Sequence, residues 1–307
     1  MVIEKMLTQF GDRYDRNARL APALLVLLPA VVAIIALYGK SLGILGTVVT
    51  TIGVCGGLAM LADFARSRGK AGEQALWKKW GGAPSTQVLR YTDDTFDDVS
   101  TARYHSLLQA KVGKPFPISR DAEANDPAGT DVLYTSAGNW LREHTRDDKK
   151  FAILKTDNIA YGFRRNGYAL RWIGVAVALL CIAWVLCRHG VASLTHRFQD
   201  VGDIEKLFTG GEWVSLAVAL IMLLAWLGFF TEGVVRAAAF SYAQKLIVAC
   251  EVLSAPGAAK KASPATGSEG KAPRSSNPGA QTPSATEPVA APKRRGRPKK
   301  DDPPTQN

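Results

Sequence analysis

The sequence predicts an all-α membrane protein with four transmembrane helices, a helical cytoplasmic domain between spans two and three, and a disordered basic C-terminal tail. Three observations predict it. Four apolar blocks, at 21–38, 42–62, 172–187 and 213–230, recur without a charged face. A long, charged segment separates the second block from the third, and the stretch from Ser254 onward has no aromatic residue. A mean hydropathy of zero over 307 residues therefore averages very different parts. Such clustering excludes an ordinary soluble single-domain enzyme. Cys55, Cys181, Cys187 and Cys250 fall in or beside the apolar blocks, which excludes a disulfide-stapled secreted domain.

A helix crosses roughly 30 Å of hydrocarbon with about 20 residues. Blocks one, two and four meet that length directly. The third gains Tyr168, Ala169 and Leu170 when Arg171 snorkels to the interface. Block one is long for a signal-peptide core and has no small-x-small cleavage site before block two, so it is expected to stay in the mature chain. The expected organisation is a cytoplasmic N-terminus at 1–20, a hairpin of spans one and two at 21–63 and a cytoplasmic helical domain at 64–167. Spans three and four follow at 168–230, with an outward loop at 188–212. An amphipathic cytoplasmic helix at 231–253 and a Pro-rich basic tail at 254–307 complete the chain.

Orientation follows from the cations beside the span ends. The segment 64–167 carries 17 Lys and Arg, whereas the outer loop 188–212 carries three against four acids. The N-terminus adds four cations and the tail ten, which places both termini and the middle segment in the cytoplasm. Pro22 suits a first helical turn, and Pro29 inside span one is expected to kink it. In span two, Gly53 and Gly57 have the spacing of a close helix contact, within the chain or between copies in a homo-oligomer. No span holds a central ionisable residue, which argues against an ion-coupled transporter.

In the middle segment a helix is expected to start at Thr92 to Thr95 and run to Lys111, with Asp93, Asp94, Asp97 and Asp98 at its positive end. A second follows Pro127 through Tyr134, Ala137, Trp140 and Leu141. Lys114 to Asp126 reads as a loop, and from Lys149 the chain re-enters helix toward span three. After span four, Val235, Ala238, Tyr242, Leu246, Ala249 and Leu253 form a stripe, so that span is expected to continue as an amphipathic helix. The tail holds ten of the 16 Pro and cannot bury a core.

Catalytic and metal patterns fail on their spacing. Gly39-Lys40-Ser41 lacks the phosphate-loop Gly, which is Ile34 here, and the aspartate cluster has Asp98 where a calcium loop needs Gly. His105 and His144 fall on one side of the membrane, His189 and His196 on the other, so no zinc quartet forms. Thr135-Ser136-Ala137-Gly138 is no nucleophile elbow. No catalytic residue, cofactor or metal site is expected. A binding or sensing protein is the leading class, and a membrane-bound enzyme is the second.

Trp77-Lys78-Lys79-Trp80-Gly81-Gly82 places two Trp on one helical face before a glycine break. It reads first as a packed helix end and second as a ligand-binding corner. Tyr161-Gly162-Phe163-Arg164-Arg165-Asn166 reads as a membrane-interface anchor of aromatic and cationic side chains. Together with Ala83-Pro84-Ser85-Thr86, which continue the tryptophan stretch, and Asp12-Arg13-Tyr14-Asp15-Arg16-Asn17-Ala18-Arg19, these stretches resemble a family of uncharacterised bacterial inner-membrane proteins with the same two-plus-two layout. The resemblance covers about residues 1–253 and implies an inner-membrane location without implying an activity. The layout is also similar to four-span, membrane-perturbing effectors of nucleotide-signalling anti-phage defence systems, at the level of architecture alone.

Lys293-Arg294-Arg295-Gly296-Arg297-Pro298-Lys299-Lys300 resembles an AT-hook, whose Arg-Gly-Arg-Pro core enters the minor groove of A/T-rich DNA. The same residues also suit a polybasic contact with anionic lipid. The partners expected are thus the lipid bilayer, anionic lipid or A/T-rich DNA at the tail, and a protein of unknown identity at the middle segment.

Overall fold

Pro22 sets the first feature of the fold. It lies at the start of α1, Ala21–Tyr38, where a missing N–H is tolerated. The turn before it, Asp15–Leu20, is wound as π-helix, and the Ala21 N–H reaches back to the Arg16 carbonyl. Because residue 22 has no N–H, the Ala18 carbonyl lacks its α-helical donor. Asn166, far along the chain, supplies one from Nδ2 at 2.6 Å.

The computed structural model describes residues 12–39, 43, 46, 57–190 and 207–254, and among them there is no strand. After α1 come α2 (Leu58–Trp80), α3 (Pro84–Gln87), α4 (Asp98–Val112), α5 (Arg120–Asn125) and α6 (Pro127–His144). The long α7 (Ala152–Cys187), α8 (Gly210–Gly228) and α9 (Glu232–Ser254) complete the described chain. Among the described residues, three helical stretches are long and apolar enough to cross a membrane: Asp15–Tyr38, Ala152–Cys187 and Gly210–Gly228. Most of the expected second span with Gly53, most of the outer loop with His196, and the tail with its Lys293 to Lys300 cluster lie outside the described residues.

The 36-residue α7 is the axis of the molecule. At 1.5 Å per residue it is about 54 Å long, more than a bilayer core requires. Its C-terminal part packs with α1 and α8 around Val26, Leu170, Met222 and Trp226. Glycines let these helices close up: a Cβ on Gly174 would overlap the Trp226 ring, and one on Gly167 the Phe230 ring. On the outside, Ile35, Leu180, Trp184, Ile221 and Leu224 are exposed. Water would not tolerate such an apolar belt, whereas acyl chains satisfy it. Arg171 at the lower edge of this region donates to the Leu227 carbonyl at 3.2 Å, answering one of the open acceptors at the end of α8.

Helices α3 to α6, the start of α7 and α9 form a second region, the head. Its core joins Leu89, Tyr104, Leu108, Tyr134, Leu141 and Leu154 to Leu246, Ile247 and Cys250 of α9. Gly81 ends α2 in the left-handed region at φ 87°, where the absence of a Cβ removes the usual strain.

Three expected elements are corrected. The helix expected from Thr92–Thr95 begins at Asp98, because Asp97 accepts from the Ser100 N–H at 2.8 Å and caps it, while Asp93 closes a turn onto the Thr95 N–H. The stretch expected as a loop at 114–126 contains α5, which Ser119 caps through the Ala122 N–H. Span four does not run on: α8 stops at Gly228, the Thr231 N–H bonds the Phe229 carbonyl at 2.9 Å, and α9 starts at Glu232. After the break the apolar side of α9 packs first on Leu76 of α2 and Tyr161 of α7, and then on the head core.

His105 lies in that head core, 4% exposed, with its Nε2–H donating to the Leu89 carbonyl at 2.7 Å and the rings of Tyr91, Phe116 and Tyr134 around it. Burial holds its pKa below the ordinary histidine value. The unfolded chain therefore takes up a proton that the folded head refuses. The associated stability is complete above about pH 6.5 and is lost as pH falls toward the depressed folded value. Thermal unfolding of the purified protein is expected to shift to lower temperature between about pH 7 and 5.5, and His105→Gln to flatten that slope. An unchanged slope in the variant would assign the acid sensitivity elsewhere.

Candidate functional site

The three stretches singled out in the sequence converge on one layer between the apolar helices and the head. The π-helical turn supplies Tyr14 and Ala18, α2 supplies Glu73 and Trp77, and α7 supplies Tyr161, Gly162, Arg165 and Asn166. Close approach comes from glycine again: a Cβ on Gly162 would meet Ala18 and Tyr14 at 2.8 and 2.9 Å, and one on Gly69 would overlap Asn166.

At its centre is a buried polar cluster. Tyr161 and Arg165, one turn apart on α7, both donate to Oε1 of Glu73, at 2.5 and 2.9 Å. Glu73 and Arg165 are each 8% exposed and Asn166 is fully buried. Arg165 Nε donates to Asn166 Oδ1 at 3.3 Å, and Asn166 passes the chain of bonds to the Ala18 carbonyl. The Tyr161 hydroxyl is the donor in this contact, since the Glu73 carboxylate can only accept. One network thus ties α2, α7 and the π-helical turn together where a buried charge tolerates little displacement.

Within the expected anchor, the side chains divide. Tyr161 and Arg165 turn inward to Glu73, Phe163 packs near Phe230 with ring centroids 5.7 Å apart, and Arg164 is half-buried. Glu73 lies outside the stretches that the sequence marks, and Asn166, though inside one, carries no role in the aromatic and cationic anchor read there. A carboxylate in the middle of the α2 face that also carries Leu76 was the available signal for Glu73.

The Trp77 to Gly82 corner is closed by its own neighbours. Lys79 Nζ and Trp80 Nε1 donate to the two oxygens of Glu232 at 2.5 and 3.0 Å, which pins the end of α2 to the start of α9. The Lys79 bond holds the Glu232 carboxyl below its ordinary pKa. Gly81 and Gly82 offer their carbonyls to Arg90 and Gln87, and the Gly82 N–H bonds the Trp77 carbonyl. Lys78 is exposed and Trp77 half-buried. The Gly82 N–H and the Gly81 and Gly82 carbonyls are thus engaged within the chain.

Beside the polar cluster a cleft of about 820 Å³ opens between α6 and the pair formed by α2 and the π-helical turn. Arg19 and Lys70 line one wall, with Ser136, Asn139, Arg142 and Arg146 on the other. A smaller hollow of about 210 Å³ shares Arg142 and Arg146 and adds Lys155 and Tyr242. Among the described residues, no group of three or more His, Cys, Asp and Glu side chains is placed to hold a metal ion.

No known protein family, characterised protein or solved structure matches the chain.

Proposed function

We propose that this chain is a non-enzymatic, multi-pass protein of the bacterial inner membrane whose head lies in the cytoplasm and binds or senses a ligand or partner. The spans receive the result through the junction. The observation that carries this reading is α7, which runs unbroken from the core of the head into the apolar region. At the crossing point it is locked to α2 and the π-helical turn by Glu73, Arg165 and Asn166. A change in the head therefore reaches the spans through a rigid element. The 17 cations of segment 64–167 support the inward orientation. In the same reading the tail, Lys293 to Lys300, contacts anionic lipid or A/T-rich DNA.

Cysteine labelling in intact cells tests the orientation. With the four native cysteines replaced by Ala, an impermeant maleimide is expected to reach Ser193→Cys. It should reach neither Ser119→Cys nor Ser275→Cys until the membrane is opened. The opposite pattern would overturn the orientation together with every intracellular partner.

A further inference from the structure

We propose that the cleft between α6 and the α2 wall binds a phosphate-bearing anion. This deepens the reading above and rests on it, since it gives the head its ligand class.

Charge balance is the first argument. The cleft is lined by four cations, Arg19, Lys70, Arg142 and Arg146, and by one carboxylate, Glu143; Arg19 is already paired with Asp15 and adds little free charge. Lys70 is exposed and, among the described residues, forms no ion pair. The Arg142 guanidinium is held by neutral groups only, Asn139 Oδ1 at 2.6 Å and Ser85 Oγ at 3.1 Å, so it is oriented without being neutralised. Arg146, just past the end of α6, pairs with Glu143 in its last turn, and both side chains are mostly exposed, a contact that a stronger anion displaces at little cost. Two uncompensated cations thus face one cavity from two walls.

Geometry then selects the ligand. A phosphate monoester brings nearly two charges and three acceptor oxygens, enough to engage Lys70 and the Arg142 fork together. A single carboxylate has two oxygens and one charge. Ser136 and Asn139 add neutral polar groups on the Arg142 wall. The volume falls within the range of small-molecule sites. Arg19 lies just ahead of the first apolar helix, Ala21–Tyr38, so the cleft lies at the level where that helix begins. A lipid headgroup or a free phosphoester could supply the same chemistry.

The test uses the full chain in neutral detergent, titrated with pyrophosphate at constant ionic strength and followed by calorimetry and thermal unfolding. Saturable binding and a concentration-dependent rise in unfolding temperature are expected. Lys70→Gln should weaken binding about tenfold or more, as expected for loss of a charge-assisted contact, while leaving the unfolding temperature without ligand unchanged. Arg142→Lys should bind more weakly than the parent and more tightly than Arg142→Gln.

Reconstitution in phosphatidylcholine vesicles with or without phosphatidylglycerol separates the sources. Pyrophosphate binding that phosphatidylglycerol competes away points to a headgroup; binding unaffected by it points to a free phosphoester. Absence of saturable binding beyond matched chloride, or binding unchanged in both Lys70→Gln and Arg142→Gln, would overturn the proposal. Detergent binding does not depend on orientation. Failure here with the expected labelling pattern sinks the ligand alone, and reversed labelling with binding intact sinks the topology alone.

Discussion

Glu73→Ala is expected to destabilise the protein by about 3–5 kcal/mol, the loss that follows when one partner of a buried ion pair is removed and the other stays. Arg165 is 8% exposed, and its guanidinium would keep the Asn166 hydrogen bond and its place over the Tyr161 ring, but no anionic partner among the described residues. Tyr161 would lose its acceptor in the same step. Glu73→Gln retains an acceptor for the phenol but leaves the Arg165 charge uncompensated, so it should fall between the parent and Glu73→Ala. The double variant Glu73→Leu with Arg165→Met removes both charges and fills the space, and most of the loss should be recovered. Denaturant unfolding of the detergent-solubilised chain measures the series. Additive losses in the double variant would mean that the two side chains are not coupled, and the junction would no longer qualify as a lock between head and spans.

Much of the fold was legible because burial and helical period coincide. Tyr134, Ala137 and Leu141, read as one face of the helix after Pro127, are all fully buried. The stripe on the last helix also proved real, with Val235, Ala238, Leu246 and Ala249 buried. Its destination was open in the sequence: Val235 and Ala238 pack against Leu76 and Tyr161 at the junction, and Leu246 and Ala249 enter the head core.

What escaped were decisions made by single hydrogen bonds or by distant partners. Four aspartates within six residues each resemble a helix cap, and only the Asp97 bond to the Ser100 N–H selects among them. The short helix Arg120–Asn125 is held by Glu123, which accepts from the Tyr91 N–H and the Tyr134 hydroxyl. Neither partner is visible in a local pattern. Arg164 and Arg165 are equivalent as letters. The structure separates them because helical phase turns Arg165 toward Glu73, 92 residues earlier. The freed Ala18 carbonyl follows from Pro22, but that Asn166 would take it depends on packing, which composition does not encode.

Gly174→Leu is expected to prevent the close pairing of α7 and α8. Even a Cβ at this position would overlap Trp226, whose side chain is fully buried and stacked on Phe230 with ring centroids 4.5 Å apart. Neither side can yield cheaply: the obstacle is a fused ring held by a second ring, and α7 is fixed on its other faces by α1 and α2. Gly174→Ala should lower stability by about 1–3 kcal/mol through overpacking. Trp226→Ala should cost about 3–5 kcal/mol through the cavity it leaves. Combining Gly174→Leu with Trp226→Ala puts volume back where it was removed, and the pair should be more stable than Gly174→Leu alone. Trp226→Phe separates size from polarity. The indole N–H is buried without a hydrogen-bond partner among the described residues, so deleting it offsets part of the lost ring contact and the change should be mild. Size-exclusion behaviour and unfolding of the five variants in detergent read these outcomes. A Gly174→Leu protein as stable and monodisperse as the parent would mean that α7 and α8 do not meet at this ring, and the Leu170, Met222 and Trp226 core would have to be redrawn.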